Sequence, residues 1–195
     1  MAHTDQPLRE GNLHISAPHI YGTVLEALDL RPNSSLSFLN LGSGTGYLSC
    51  IVASILGIHS NNYGALECTF LLAAVESRSS CCRLTHGLFY SCTGVDFHED
   101  VVEHAKAATE RWKSTHNRPF PSIEWIHGNA LTIDHNKGEA VVGFDRIYVG
   151  SSVNKQDLPK LAFLLRPGGI LVGPGTLFLS SCPQKGIFHV LPRLL

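Results

Sequence analysis

The feature that most constrains this chain is a turn with three evenly spaced glycines between an apolar segment and a helical pattern. Residues 39–41 read Leu-Asn-Leu, residues 42–46 read Gly-Ser-Gly-Thr-Gly, and an apolar helical pattern follows over Tyr47–Leu56. Because glycine has no Cβ atom, the backbone N–H groups of such a turn can approach a ligand closely. The turn therefore predicts a strand-to-helix connection beside a ligand site, although an ordinary α/β connection can look the same.

The spacing of the glycines narrows the class of ligand. It is Gly-x-Gly-x-Gly, whereas dinucleotide-binding turns have Gly-x-Gly-x-x-Gly and phosphate-binding loops continue into Gly-Lys-Ser/Thr. In open α/β sheets, nucleotide-like ligands bind beyond the carboxyl ends of the strands. A tighter turn suits a ligand of this kind that has no pyrophosphate, such as S-adenosylmethionine.

Further segments follow in the order that a doubly wound sheet requires. Predicted strands lie at 93–96, 122–127, 144–150 and 170–173, with helical stretches at 98–113 and 157–165. Alternating strands and helices with short Pro/Gly connections indicate right-handed βαβ units. The second strand ends in Asp96, whose carboxylate can accept hydrogen bonds from both hydroxyls of a ribose. The third ends before Gly128 and Asn129, where an adenine can pack.

Four motifs also follow one another in a distinctive order. They read Ile-Ser-Ala-Pro-His at 15–19, Asn-Leu-Gly-Ser-Gly-Thr-Gly-Tyr-Leu at 40–48, Asp-Arg-Ile-Tyr-Val-Gly at 145–150 and Pro-Gly-Gly at 167–169. This order resembles the protein-L-isoaspartate O-methyltransferase family. The first motif is the most specific, since glycine turns of this kind occur in many methyltransferases. The sequences of residues 38–41 and 145–148 resemble more closely the branch called isoaspartate methyltransferase domain-containing proteins.

The resemblance implies a Rossmann-like, doubly wound, mostly parallel sheet of the class I S-adenosylmethionine-dependent methyltransferases. It also implies an activity, which is the transfer of a methyl group to L-isoaspartyl carboxylates of damaged proteins in protein repair. The alternative is a catalytically inactive S-adenosylmethionine-binding module that serves as a substrate-recognition adaptor, as the domain-containing branch suggests.

The resemblance assigns two groups of site residues. Those implied to bind S-adenosylmethionine are Gly42, Ser43, Gly44, Gly46, Asp96 and Asn129. Asn129 departs from the pattern, because the family often has an aspartate there. Ser16 matches the serine whose hydroxyl helps to hold the substrate carboxylate, and Ala17 and His19 belong to the same substrate-side segment. A serine that merely caps a loop or helix before Pro18 is the other interpretation of Ser16.

The chemistry of carboxyl methylation fits a site without a catalytic dyad. A carboxylate has an unperturbed pKa near 4, so it is already ionised at neutral pH and needs no general base. Catalysis then depends on alignment of the two reactants and on removal of water around their charges.

The composition predicts a single small domain over residues 1–195. The hydrophobic content is 44%, and the formal net charge of −1 gives no reason to expect a nucleic-acid partner. The N-terminus lacks the apolar core of a signal peptide, and no apolar run is long enough to span a membrane. The six cysteines and eleven histidines show no metal-binding spacing. We expect a monomeric cytoplasmic protein with reduced thiols and no metal.

Two segments do not resemble the family, an insert at 65–94 and a divergent tail at 175–195. Removing the insert joins Gly64 to Val95 and restores an uninterrupted second strand. Residues 88–94 can also be back-translated as a pyrimidine-rich tract that ends in a splice boundary. A translated intron is therefore one interpretation, and an inserted surface loop is the other, since long loops cost little free energy.

Both ends of the chain are short of the family pattern. Only fourteen residues precede Ile15, where the family has a longer substrate-side segment. The tail at 175–195 is too short for the further helix and antiparallel strand pair that complete a methyltransferase sheet. We therefore expect a truncated or intron-retaining form with incomplete C-terminal strands, although 186–191 can form one strand.

Overall fold

The computed structural model describes residues 5–57, 92–115, 122–129, 143–151, 153–174 and 187–191. The strands are β1 (Leu8–Glu10), β2 (Leu13–Ile15), β3 (Phe38–Leu41), β4 (Cys92–Asp96), β5 (Ile123–His127), β6 (Phe144–Val149), β7 (Leu165–Pro174) and β8 (Ile187–Leu191). The α-helices are α1 (Pro18–Ala27), α2 (Tyr47–Leu56), α3 (Glu99–Thr115) and α4 (Leu158–Phe163), and a 3₁₀ turn spans Lys155–Asp157.

A six-stranded parallel sheet in the order β5-β4-β3-β6-β7-β8 forms the centre of the fold. The chain runs outward from β3 to β4 and β5, and it then returns to place β6 on the other side of β3. The strand order thus reverses beside β3, which is where ligands bind in doubly wound sheets. The predicted fold class is confirmed. A separate antiparallel hairpin is formed by β1 and β2.

Helices cover both faces of the sheet. Phe38 packs with Val24 and Val52 on the face covered by α1 and α2, while the next residue of β3, Leu39, packs with Leu161 of α4 on the opposite face. Strands buried on both faces are expected to be continuously apolar, which explains the sequence Phe-Leu-Asn-Leu of β3. On the first face α3 lies beside α2, and the Cys50 Sγ and Thr109 Oγ1 atoms of these helices are 3.5 Å apart.

The predicted start of the strand at 170–173 is wrong, because β7 begins at Leu165. Phe144 pairs with Leu165, but Arg146 already pairs with Ile170, so the intervening residues form an irregularity inside the strand. Gly168 has a φ of +80° there. The Pro-Gly-Gly sequence, which predicts a connection, therefore forms a bulge.

The tail contains the one strand expected of it. Residues Ile187–Leu191 form β8, which pairs with β7 in parallel from Ile170↔Ile187 onward. This parallel pairing differs from the antiparallel strand pair that completes a methyltransferase sheet. The segment 175–186 provides the dozen or so residues that a parallel crossover needs, but it lies outside the described residues.

The predicted insert overlaps the sheet at its C-terminal end. Cys92, Thr93 and Gly94 belong to β4 and are buried between β3 and β5. Residues 65–91 lie outside the described residues, so the translated intron remains a prediction. Of the helices described, none combines the length and apolar character needed to cross a membrane.

Candidate functional site

A cavity of about 460 Å³ lies at the carboxyl ends of β3, β4, β5 and β6. Several residues predicted for the site line it, namely Ser16, Gly42, Ser43, Gly44, Asp96 and Asn129. The remaining predicted residues, Ala17, His19 and Gly46, are not among the described residues that line it. The fold therefore brings the serine before α1 to the glycine turn and to the acid of β4.

The glycine turn is held by bonds within the protein. The amides of Gly42 and Ser43 donate to the carbonyl oxygen of Val95 at 2.9 and 3.0 Å, and the amide of Gly44 donates to Asp96 Oδ2 at 3.0 Å. These three amides are thus engaged inside the protein, whereas the sequence led us to expect them to face a ligand.

The glycines instead permit close packing. A Cβ atom at Gly42 would lie 2.7 Å from the Ser151 Cβ atom, and one at Gly44 would lie 2.8 Å from the carbonyl oxygen of His14. Both glycines have positive φ angles, +75° and +55°. Only glycine therefore allows the β1–β2 hairpin and the loop after β6 to close around the turn.

Gly46 packs against the interior rather than the cavity. Its φ is +80°, and a Cβ atom there would lie 2.7 Å from Trp125 Cη2 and 3.1 Å from Ala105 Cβ. Its amide donates to the carbonyl oxygen of Ser43 at 3.0 Å, closing the turn before α2 begins. The predicted cofactor role of Gly46 is thus indirect in this structure, because the residue shapes the turn.

Asp96 lies between the glycine turn and the start of α3. Its Oδ2 accepts the Gly44 amide, and its Oδ1 accepts the His98 amide at 3.2 Å. A carboxylate has about four acceptor positions, so oxygen lone pairs remain for ribose hydroxyls.

Asn40 is a residue of the cavity wall that the sequence analysis did not assign to the site. It is 1% exposed, and its amide nitrogen donates to Ser49 Oγ at 2.9 Å. Its Oδ1 and the hydroxyl of Ser43 are buried without a partner, and both residues line the cavity. An unsatisfied buried polar group costs about 1–3 kcal/mol, so a ligand with complementary polar groups fits here. An asparagine inside an apolar strand was the available signal.

Ser16 lines the cavity from its position before α1. Its amide donates to Tyr21 Oη at 2.9 Å. The N-cap of α1 is Ala17, and no side chain caps that helix. Ser16 is therefore not a helix cap, while its interpretation as a loop serine stays open.

Ala17 and His19 support this segment from outside the cavity. Ala17 is 4% exposed, and its carbonyl accepts the Ile20 amide at 3.0 Å. His19 is exposed, and both its amide and its Nδ1 contact the carboxylate of Asp5. The structure thus attaches His19 to the chain preceding β1 and leaves its substrate role a prediction.

Two tyrosines line the cavity together with Ser16. Tyr21 of α1 and Tyr148 of β6 both line it. Burial raises the pKa of Tyr21, and burial together with the neighbouring Tyr21 raises the pKa of Tyr148 to about 12. Both phenols are therefore neutral hydrogen-bond donors at neutral pH. Within the described ranges, no three His, Cys, Asp or Glu side chains form a group that could hold a metal ion.

Comparison with known proteins agrees with this geometry. Residues 1–75 match the family model for protein-L-isoaspartate(D-aspartate) O-methyltransferase. Over these residues, the chain is similar to the protein-L-isoaspartate O-methyltransferase family. Protein-L-isoaspartate O-methyltransferase 2 of Arabidopsis thaliana is 28% identical over 183 residues, which are 91% of this chain and 47% of that protein.

Two further members of the family are more similar over shorter stretches. Protein-L-isoaspartate O-methyltransferase 1 of Arabidopsis thaliana is 34% identical over 74 residues, covering 37% of this chain and 32% of the relative. The enzyme of Methanothermobacter thermautotrophicus is 38% identical over 63 residues, covering 32% and 28%. The chain thus spans about half or less of the length of these relatives. None of these three is named as a non-catalytic module.

Solved structures share the fold. A Plasmodium falciparum chain described as a protein-L-isoaspartate O-methyltransferase, in complex with S-adenosyl-L-homocysteine, has a TM-score of 0.56 and 23% identity over 86% of this chain and 65% of that one. A precorrin-6y C5,15-methyltransferase of Geobacter metallireducens has a TM-score of 0.50 and 11% identity, covering 87% and 67%. At these identities the likeness shows the Rossmann-like fold.

Proposed function

We propose that this chain is an S-adenosylmethionine-dependent carboxyl methyltransferase that acts on L-isoaspartyl residues of damaged proteins and so takes part in protein repair. The observation that supports this most is the shared cavity. The glycine turn, Asp96 and Ser16 all face one space of about 460 Å³. One space is thus lined by most of the residues expected to bind the methyl donor and by the residue expected to hold the methyl acceptor.

The donor side fits S-adenosylmethionine. Asp96 would accept the ribose hydroxyls, Asn129 would lie near the adenine, and Asn40 and Ser43 would gain partners for their unsatisfied atoms. When bound, S-adenosylmethionine supplies a methyl group on a positively charged sulfur. The demethylated product, S-adenosyl-L-homocysteine, is held by the similar Plasmodium falciparum chain, which supports this choice of cofactor.

The acceptor side needs to align a carboxylate that is already ionised. Ser16 would donate a hydrogen bond to it, while the apolar part of the wall excludes water from the reacting charges. That apolar part includes Leu41, Leu48, Val95 and Leu161. No proton has to be removed from the nucleophile, so the reaction needs no general base.

The remaining assignments concern the setting of the protein. We place it in the cytoplasm as a monomer, with isoaspartyl-containing proteins as substrates and without nucleic-acid or membrane partners. The free thiols of Cys50 and Cys92, both buried in the described part of the chain, are consistent with a reducing compartment.

The test is transfer of a radiolabelled methyl group to an isoaspartyl peptide, with the aspartyl peptide of the same sequence as control. We expect transfer to the isoaspartyl peptide alone. Ser16→Ala should slow transfer by about 10- to 100-fold, because one hydrogen bond to a charged group is lost. Its affinity for S-adenosylhomocysteine should not change. Ser114→Ala, on an exposed part of α3, is the matched control and should transfer normally.

Two results would contradict the proposal in different ways. Binding of S-adenosylhomocysteine without any methyl transfer would favour the substrate-recognition module. Failure to bind S-adenosylhomocysteine would contradict both hypotheses, the enzyme and the substrate-recognition module.

A further inference from the structure

The two tyrosines of the cavity lie on the side where the methyl acceptor is expected. Tyr21 extends from α1, one turn after Ser16, and Tyr148 extends from β6. Tyr148 pairs across the sheet with Asn40 of β3, so the two side chains share the sheet face that α1 covers. Ser16, Tyr21, Asn40 and Tyr148 all line the cavity.

The hydroxyl groups of these tyrosines have unused hydrogen-bonding capacity. Tyr21 Oη accepts the Ser16 amide and is also hydrogen-bonded to the Ser16 side chain, so one of these two hydroxyls keeps a proton for another acceptor. Tyr148 is 7% exposed, and its hydroxyl makes no hydrogen bond to the residues that the structure describes. A phenol directed at a cavity in this way favours a ligand that accepts hydrogen bonds.

The charge of the cavity wall indicates how an anion would be held. Neither Lys nor Arg occurs among the described residues that line the cavity, although the imidazoles of His14 and His98 do. A carboxylate beside Ser16, Tyr21 and Tyr148 would be held by the neutral hydroxyls of these residues. Neutral donors orient a carboxylate without cancelling its charge, so an oxygen that is not hydrogen-bonded keeps its nucleophilic electron pair.

We infer that Tyr148 donates a hydrogen bond to the carboxylate of the methyl acceptor and, with Tyr21 and Ser16, forms a neutral carboxylate site. This inference rests on the proposed function. One carboxylate oxygen accepts the phenolic hydrogen bond, and the other forms the new C–O bond to the methyl group. The electron pair of the broken C–S bond stays on sulfur, so a neutral ester and a neutral thioether result and no proton moves.

The experiment measures binding of an isoaspartyl peptide to the full chain in the presence of S-adenosylhomocysteine, by calorimetry. Tyr148→Phe removes only the hydroxyl and keeps the ring in the core. We expect the peptide Kd to rise by about 10- to 100-fold, the range for a lost hydrogen bond to a charged group. The Kd of S-adenosylhomocysteine and the unfolding midpoint should not change.

The chain supplies a matched control in Tyr47. Its ring lies 5.7 Å from that of Tyr21, but it is 52% exposed and is not among the described residues of the cavity wall. Tyr47→Phe loses the same hydroxyl and should bind the peptide as the wild type does. For a peptide whose side-chain carboxylate is replaced by a carboxamide, the Kd should differ less between the wild type and Tyr148→Phe.

The results that overturn the inference are distinct from those that overturn the function. Equal peptide binding by Tyr148→Phe and the wild type, or a parallel loss of S-adenosylhomocysteine binding, would remove the role of Tyr148 only. A structural role would be shown by two results together. The Tyr148→Phe variant would have a lowered unfolding midpoint, and the substitution would raise the Kd of the carboxamide peptide as much as that of the carboxylate peptide. A wild type that binds S-adenosylhomocysteine but no isoaspartyl peptide would remove the inference together with the proposed substrate.

Discussion

Gly11 and Gly44 have the same φ of +55° but different surroundings. A Cβ atom at Gly11 would meet nothing within 4 Å, whereas one at Gly44 would meet the carbonyl oxygen of His14 at 2.8 Å. We expect Gly11→Ala to lower the free energy of unfolding by about 1–2 kcal/mol, the cost of the left-handed backbone. Gly44→Ala should cost more and should also weaken S-adenosylhomocysteine binding, because the hairpin must shift at the cavity.

Chemical denaturation and calorimetry of the two alanine variants measure these effects. Larger side chains at Gly44, such as valine, should abolish binding. Equal stability losses and unchanged ligand affinity in both alanine variants would contradict the close packing of turn and hairpin.

Asp145 is the residue whose charge should govern stability in acid. Burial alone would raise the pKa of its carboxyl group, but hydrogen bonds from the Ser37 amide and hydroxyl and the charge of Arg166 hold that pKa below its usual value. These bonds are 2.8, 2.7 and 2.9 Å long. Because the folded-state pKa is lowered, this stabilisation is complete above the unfolded pKa and is lost as the pH falls through the folded value.

The corresponding variant is Asp145→Asn. At pH 7 it should be less stable than the wild type by about 1–3 kcal/mol, since hydrogen bonds to a charged group are weakened. The difference should shrink below about pH 4. Urea denaturation at pH 7 and pH 3 measures both differences. The control is Glu103→Gln, at an exposed pair with Lys106, which should change the free energy of unfolding little at either pH. A pH-independent difference would contradict the prediction.

At the scale of elements, Arg146 of β6 fixes the end of α1 opposite to the cavity. The side chain is 7% exposed and donates to the carbonyl oxygens of Leu28 and Asp29, just beyond the helix, and to that of Asp145. A cation at a helix C-terminus is also favoured by the helix dipole. Because Ser16 lies just before the other end of α1, Arg146 would position the segment that we propose to bind the substrate.

Replacing Arg146 by lysine should therefore disturb acceptor binding more than donor binding. Lysine cannot reproduce the planar guanidinium, so we expect a loss of about 1.5–3 kcal/mol in unfolding free energy. The KM for an isoaspartyl peptide should rise, while the Kd of S-adenosylhomocysteine changes little. Arg111→Lys on the exposed face of α3 is the control. Equal effects on both ligands would show that Arg146 supports only the general fold.

The elements were predictable where local signals agree. The helix α2 spans Tyr47–Leu56 as predicted, because the glycine turn fixes its start and Gly57 its end. The start of β7 was not predictable, since Arg166–Gly169 has the composition of a turn. Only hydrogen bonding to β6 makes this segment part of a strand. Tyr21 and Tyr148 were missed for a related reason. They are far apart in sequence, and only the fold brings them to one cavity.

At the scale of the whole molecule, the predicted insert can be tested by two deletions of equal length. Deleting 65–94 places Gly64 in the position of Gly94, where a Cβ atom would collide with the Trp125 ring. Deleting 62–91 keeps the observed β4 residues. Both leave a glycine before Val95 and differ only in the two residues that precede it.

If the insert is a translated intron, the first deletion should melt at a higher temperature than the full chain and at least as high as the second. A shorter connection also reduces the entropy of loop closure. Thermal melts followed by circular dichroism measure all three proteins. Unfolding of both deletions would show that the segment is structural.

The order of strands in the parallel sheet also determines how long β3 lacks its partner strands during synthesis on the ribosome. Phe38 of β3 pairs with Cys92 and Arg146, which follow it by 54 (92 − 38) and 108 (146 − 38) residues. At about 5–20 residues per second, the second partner is made roughly 5–20 s after β3. The most buried strand of the sheet thus spends that interval with an open edge of the kind that aggregates, and chaperone demand should be greatest before β6 is made.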